Sequence, residues 1–372
     1  MRKATAAASR PVLGHRALNR ALLARQMLLE RSNRSAIEAV DHLVGMQAQV
    51  PTDPYFALWS RLGAFAPADL SREIESRKAI RIANLRGTIH LVTARDALTL
   101  RILVQPVLTR LLQSTSFGKA TRGVDTDAVV AAGRAALEGR PQTLAELRPM
   151  LAERFPGFDA NALSYVFHYM TPLVQVPPRG LWGQGGLPKV ATVESWLKKP
   201  TAMPDVAEVT RRYLAAFGPA TVKDMQAWSG LTKLAPAFET LRPELVTFSD
   251  ETGRELFDLP DAPRPDEDTP APPRFLPVYD NLTLGFAHRE RVLALAPPRA
   301  VPQNLNVRAF LIDGFVAGFW KIDEAKATAT LTLEPFAKLA KKDQRALAEE
   351  GERLLAFAAP EASHDVRFGP VY

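Results

Sequence analysis

Residues 79–92, AIRIANLRGTIHLV, decide the reading of the fold. Two apolar runs, Ala79-Ile80-Arg81-Ile82-Ala83 and Thr88-Ile89-His90-Leu91-Val92, flank the polar turn Asn84–Gly87, the pattern of a β-hairpin. Toward the N-terminus, helical periodicity covers about 17–30 and 34–47, a third helix starts at Asp53-Pro54, and a fourth lies around 67–78. The same order of helices and then a hairpin recurs twice. Helices near 126–138, 143–155 and 160–170 lead to Leu173–Val176 and, after the glycine-rich stretch PPRGLWGQGGLP, to a return strand near Lys189–Val193. Helices near 205–217, 221–229 and 232–241 lead to Leu245–Phe248 and Glu255–Leu259. Gly218-Pro219, with Thr221 as the next helix cap, gives the short turn of a helix-turn-helix.

Three helices and a hairpin are the pattern of a winged helix, whereas a parallel-sheet enzyme would alternate strand and helix. The expected fold class is α+β and helix-rich. A basic arm spans 1–16 and three tandem winged-helix motifs span 17–122, 123–203 and 204–260. A proline-rich linker over 261–277 then precedes a C-terminal β-hairpin region and closing helix over 278–372. Within that last region Leu282–Phe286, Arg291–Leu295, Arg308–Ile312, Phe315–Ile322 and Ala329–Leu333 read as strands, with a helix over about 335–358.

At 372 residues, 47% hydrophobic and 23% charged, the composition is that of an ordinary globular protein. No apolar run approaches the ~18 residues that span a bilayer. The start, MRKATAAASRPVLG, lacks the apolar core of a secretory signal and resembles a transit peptide only faintly, so a cytoplasmic setting is expected. The absence of cysteine excludes disulfides, thiolate metal sites and thiol nucleophiles. Six scattered histidines offer no metal-binding pair at helical spacing, and no glycine-rich phosphate loop follows a strand; no metal and no cofactor are expected. The net charge of +7 is concentrated: residues 1–34 hold eight basic residues against Glu30 alone, and the remainder is balanced. That arm suits a polyanion partner or is a solvated tail.

Gln47-Ala48-Gln49 is the polar interruption that carries chemistry. The residue before Pro51 is driven into extended conformation, so the two carboxamides point the same way at a helix end and converge on one water or sugar oxygen. The alternative is plain capping of the last helical carbonyls. Asp53, before Pro54, reads as a helix cap in preference to a catalytic carboxylate. Arg86 and His90 flank the first wing, where such residues touch phosphates; a buried histidine bonded to backbone fits His90 equally. Arg289 and Arg291 share one face of an expected strand and suit either phosphates or an ion pair with Glu290. Asp313-Gly314 reads as a hairpin tip among Phe310, Phe315, Phe319 and Trp320, residues that either wedge into a DNA groove or pack in the core. His168, between Phe167 and Tyr169, reads as core.

Four segments in order, LVGMQAQVPTDPYFALWSRL, RGTIHLVT, LPVYDNLTLGFAHRER and NVRAFLIDGFVAGFWKI, resemble the winged-helix DNA glycosylases that unhook interstrand cross-links, the AlkZ type of actinobacteria. That family gives self-resistance to azinomycin-like alkylating antibiotics. The resemblance implies tandem winged helices around a DNA-binding concavity and a Gln–apolar–Gln catalytic motif, matched by Gln47 and Gln49. It also implies a β-hairpin that probes the lesion, for which 310–320 is the candidate. The implied reaction is hydrolysis of the N-glycosidic bond of bulky cationic alkylguanine adducts and cross-links, monofunctional because no lysine nucleophile stands beside the glutamines. The implied partner is double-stranded DNA with alkylated or cross-linked guanine, bound by a monomer. A non-enzymatic winged-helix transcription regulator is the rival reading.

Overall fold

Val44 and Gly45 take left-handed backbone angles (φ 54° and 87°), and this pair ends the helix Ala36–His42 well before the glutamines. Met46–Gln47 is therefore a strand, not a helix end, and Pro51 has no part in starting the extended run. The structure, a computed structural model, describes residues 10–293, 307–325 and 327–371.

The short strand Met46–Gln47 forms one edge of a six-stranded sheet. Beyond it lie Ile89–Thr93, Ala79–Ala83, Leu173–Gln175, Lys189–Thr192 and Gln142–Thr143, every neighbouring pair antiparallel. The first two helix-and-hairpin units thus share one sheet, joined where Arg81 and Ile82 lie opposite Gln175 and Val174. Helices Thr126–Ala136, Leu144–Arg154 and Ala160–Met170 start at Asp125, Thr143 and Asp159, whose side chains accept backbone N–H bonds in the first turn. Helices Ala94–Leu103 and Gln105–Ser114, absent from the sequence reading, bridge the two units.

The third unit has helices Val206–Phe217, Val222–Ser229 and Ala235–Leu241 and strands Val246–Asp250 and Glu255–Asp258, with Val12–Leu13 added in parallel at the edge. A third sheet orders Arg274–Leu276, Ala309–Ile312, Phe315–Ala325, Thr328–Pro335 and Ser363–Phe368. Helix Lys341–Ala358 packs Leu347, Leu354 and Leu355 against Leu331 and Leu333 of that sheet. The architecture is mixed α+β and helix-rich. No helix among the described residues is long and apolar enough to cross a membrane.

Several expectations need correction. Leu282–Phe286 is not a strand: Asp280 accepts the Leu282 N–H and starts the short helix Asn281–Leu284. Ser363–Phe368 is a strand that the sequence reading did not show. Residues 289–293 form a turn, with the N–H groups of Val292 and Leu293 on the Arg289 carbonyl, so Arg289 and Arg291 do not share a strand face. The 294–295 end of that expected strand lies outside the described residues, as do Arg2 and Lys3 of the basic arm.

Five of the six cations described between Arg10 and Arg34 are ion-paired within the molecule. Arg25 is wholly buried in an ion pair with Asp258, Arg20 and Arg16 both bind Asp313, Arg31 reaches Glu350, and Arg10 reaches Glu255. Arg16, Arg20 and Arg25 fasten the helix His15–Arg25 to the third unit and to the Asp313 turn of the C-terminal sheet.

Candidate active site

The first hairpin turn builds the site. Arg86 and Gly87 both take left-handed φ angles (53° and 73°), so the chain reverses tightly and the Arg86 side chain turns back over the sheet. Its Nη2 donates to Gln47 Oε1 at 3.1 Å, and its Nη1 donates to the Trp228 carbonyl at the end of helix Val222–Ser229. Gly230 is the residue that permits this approach, since a Cβ there would lie 3.3 Å from Arg86 Cα. No carboxylate pairs with Arg86 among the described residues, and burial without a counter-charge pulls its guanidinium down to about 10.

His90 lies directly opposite Gln47 in the sheet and is 1% exposed. Burial, reinforced by the Arg86 charge, pushes its imidazole down to about 3, so the ring is neutral. The 3.0 Å contact from Nδ1 to the Thr88 carbonyl assigns the proton to Nδ1 and leaves Nε2 to accept from Arg86 Nη2 at 3.4 Å. His90 therefore orients Arg86 and does not reach a phosphate, which corrects that expectation.

Gln47 is 7% exposed, whereas Gln49 is exposed and its Oε1 accepts the Ile89 N–H at 3.2 Å. Both amide oxygens are thus anchored on the first hairpin, one by Arg86 and one by backbone. A carbonyl oxygen has two lone pairs, so each anchored oxygen retains acceptor capacity for a water O–H.

A second clamp comes from a distant segment that sequence reasoning missed. Asn281 Nδ2 donates to the Gly45 carbonyl at 2.8 Å, fixing the turn just before Gln47. Asp280 binds Arg61 through two bonds of 2.7 and 2.8 Å, both side chains being buried. Gln47, Arg61, Tyr279, Asp280 and Asn281 line one small cavity of about 10 Å³. The signal was present as the Asp280-Asn281 pair, but its partners are more than 200 residues away in sequence.

Asp53 does not cap its helix. Thr52 already has helical backbone angles, which places Asp53 inside the first turn of Asp53–Arg61. Its carboxylate is 1% exposed and neither oxygen has a hydrogen-bond partner. Arg308, held between the rings of Phe56 and Trp320, comes no closer than 3.9 Å. Desolvation raises the Asp53 carboxyl to about 7, against the opposing pull of Arg308.

The remaining candidates lie elsewhere. Arg291 is 8% exposed, donates to the Pro219 carbonyl at 2.9 Å and stacks on Phe286, so it is structural. It borders a cavity of about 260 Å³ that also holds Asp224, Asp250, Glu251 and Glu290, an acid-rich lining that repels phosphate. Arg289 is half-buried. Asp313 is neutralised by Arg16 and Arg20, and Gly314 is buried so tightly that a Cβ would meet Asn19 and Leu23 at 2.5 Å. Phe310, Phe319 and Trp320 are core residues. The 310–320 hairpin tip is docked on helix His15–Arg25 and is not free to enter a groove.

A family model described as DNA glycosylase AlkZ-like matches residues 40–357, which takes in the glutamine strand, the first hairpin and the Asp280-Asn281 clamp. The chain belongs to the AlkZ-like DNA glycosylase family. It is 27% identical over 336 residues to an interstrand DNA cross-link repair glycosylase of Streptomyces sahachiroi, covering 82% of this chain and 87% of that protein. The structure of the DNA glycosylase AlkZ from the same organism matches with a TM-score of 0.71 at 22% identity, over 96% of this chain and all of that one. As a member of the AlkZ-like family the protein is an enzyme of the DNA glycosylase class.

Proposed function

We propose that this AlkZ-like enzyme is a monofunctional glycosylase that hydrolyses the N-glycosidic bond of bulky cationic alkylguanines, including cross-linked ones, in double-stranded DNA. The observation that carries the reading is the anchoring of two carboxamides on one hairpin: Gln47 by Arg86, Gln49 by the Ile89 N–H. In this reading their free lone pairs orient one water toward the anomeric carbon, and Gln49, the exposed member, meets the sugar first. A guanine alkylated on its ring nitrogen leaves with its positive charge neutralised, so the site mainly has to position water against an oxocarbenium-like sugar. A strong general base is dispensable for such a base and would be needed for a neutral one.

Arg86 is kept as a candidate phosphate contact beside the lesion, a reading supported by its place on the first hairpin turn next to Gln47. Arg289 is retained as a rim contact. The three helix-and-hairpin units are read as winged helices facing the duplex, and the enzyme as a cytoplasmic monomer acting in DNA repair or antibiotic self-resistance.

The test is base release. Duplex DNA carrying a cationic N7-alkylguanine is incubated with the enzyme, treated with alkali, and examined for breaks at abasic sites. Breaks with wild type that disappear with Gln47→Ala or Gln49→Ala support the assignment. Intact DNA in all cases, with binding retained, overturns it in favour of a non-enzymatic regulator.

A further inference from the structure

The proposed site leaves unexplained a groove of about 510 Å³ between the first and second units. Its lining includes Arg77, Lys198 and Lys199 and no carboxylate, while a fourth cation, Arg95, is already held by Asp41 at 2.6 Å. That balance is unusual in this molecule. The neighbouring groove, which shares Arg95, mixes Arg34 and Arg212 with Glu38 and Asp41, and the cavity beside His15 is acid-rich.

The cations are also deliberately placed. Arg77 lies 4.0 Å over the Trp196 ring and donates to the Trp196 carbonyl at 2.8 Å, so its guanidinium is fixed at the rim. Arg77 (φ 62°) and Lys198 (φ 56°) each follow a helix in left-handed backbone, Lys198 as the cap of Val193–Leu197. Glycine or asparagine is what local chemistry prefers there, and a long side chain is strained in that backbone region. Two such positions on one groove both carry cations, and Arg77, Lys198 and Lys199 are all exposed.

We infer that this groove is a second DNA-binding surface, which takes the phosphodiester backbone of the duplex away from the lesion. The inference rests on the DNA-glycosylase reading. The groove lies at the Ala79 and Thr93 end of the first hairpin, and Gln49 is bonded at the Ile89 end. The strand between them, Ile89–Thr93, has five residues, so its ends are ~14 Å apart at about 3.4 Å per residue step, which corresponds to roughly four base pairs of duplex. The cations therefore grip the flank, and Gln47 and Gln49 stay on the damaged nucleotide. Undamaged flanking sequence is held through charge alone, with no base readout.

The experiment measures binding to an undamaged 25-base-pair duplex over a series of salt concentrations, with the full chain. Arg77→Ala combined with Lys198→Gln and Lys199→Gln should make the slope of log K against log salt shallower by about 0.9 for each lost phosphate contact. Lys198→Gln with Lys199→Gln, which keeps the Arg77–Trp196 stack, should lose about two such contacts. Lys341→Gln with Lys342→Gln, on the exposed side of the C-terminal helix, should bind as wild type. A groove variant with wild-type affinity and an unchanged slope overturns the inference, and does so even if wild type releases alkylated bases normally. Wild type that fails to bind the undamaged duplex at all also overturns this inference, whereas the glycosylase reading stands or falls on the base-release assay.

Discussion

Arg86 can reach Gln47, His90 and Trp228 at once only because its side chain ends in a planar fork. Lysine carries the same charge but a single donor centre, so Arg86→Lys should leave Gln47 without a fixed orientation. Single-turnover base release should then fall by on the order of a hundredfold, the cost of a small misplacement at a reacting centre. Retention of the wild-type rate in Arg86→Lys would remove the orienting role. Asp53 yields a prediction of opposite character. Its carboxyl is raised from 3.8 to about 7 in the folded state, so the folded protein holds this proton more tightly than the unfolded chain. Stability from this group is complete below about pH 4 and is lost as pH rises toward 7. At about 1.4 kcal/mol per pH unit, ionised Asp53 costs on the order of 4 kcal/mol. Asp53→Asn should therefore raise the melting temperature at pH 8, and the gain over wild type should shrink steadily toward pH 5. A gain that is equal at both pH values, or a loss at pH 8, would show that the carboxylate is paired in solution. Neither residue's role could be read from sequence: Asp53-Pro54 has the form of a cap, and only three dimensions turn its carboxylate inward.

At the scale of elements, the turn Val44-Gly45 is what converts a helix into the strand that presents the glutamines. Gly45 has φ 87°, and a Cβ there would lie 2.7 Å from Val92 Cγ1 and 3.0 Å from the Leu91 carbonyl. Gly45→Ala should destabilise the protein by roughly 1–3 kcal/mol and shift Met46–Gln47 off its partners His90 and Leu91. Denaturant unfolding and base release should fall together; normal excision by a fully stable Gly45→Ala protein contradicts the account. Elements with strong local periodicity were legible in advance: Ala160–Met170 and Ala79–Ala83 stand where apolar spacing put them. The two-residue strand Met46–Gln47 was not, since two residues show no period and the decisive signal was a glycine four residues before Gln49. The run Leu282–Phe286 misled because Leu282, Leu284 and Phe286 alternate with Thr283 and Gly285 at the period of a strand. Asp280 then settled it as a helix start.

At the scale of the whole molecule, the informative quantity is where charge goes. Composition placed a charge of +7 in the first 34 residues and suggested an external polyanion, yet Arg20, Arg25 and Arg31 turn inward to ion pairs within the molecule. Arg25 crosses from the first helix to Asp258 in the third unit with both side chains fully buried, at 2.6 and 2.8 Å, and donates also to the Leu214 carbonyl. Sequence could not reveal this, because an ion pair separated by more than 200 residues looks like two unrelated charges. A buried pair contributes little over an apolar substitute, but removing one partner leaves an uncompensated charge and typically costs about 3–5 kcal/mol. Arg264, also on Asp258 at 2.6 Å, is part-exposed and offsets only some of that loss. Arg25→Ala should therefore lower the denaturant midpoint sharply, with the transition slope unchanged because the same surface is exposed on unfolding. The same variant should leave the salt dependence of DNA binding as it is in wild type, since Arg25 presents no charge to solvent. If instead Arg25→Ala weakens DNA binding in proportion to salt while unfolding at the wild-type midpoint, then the first helix is a DNA-facing element after all, and the inward accounting of the N-terminal charge is wrong.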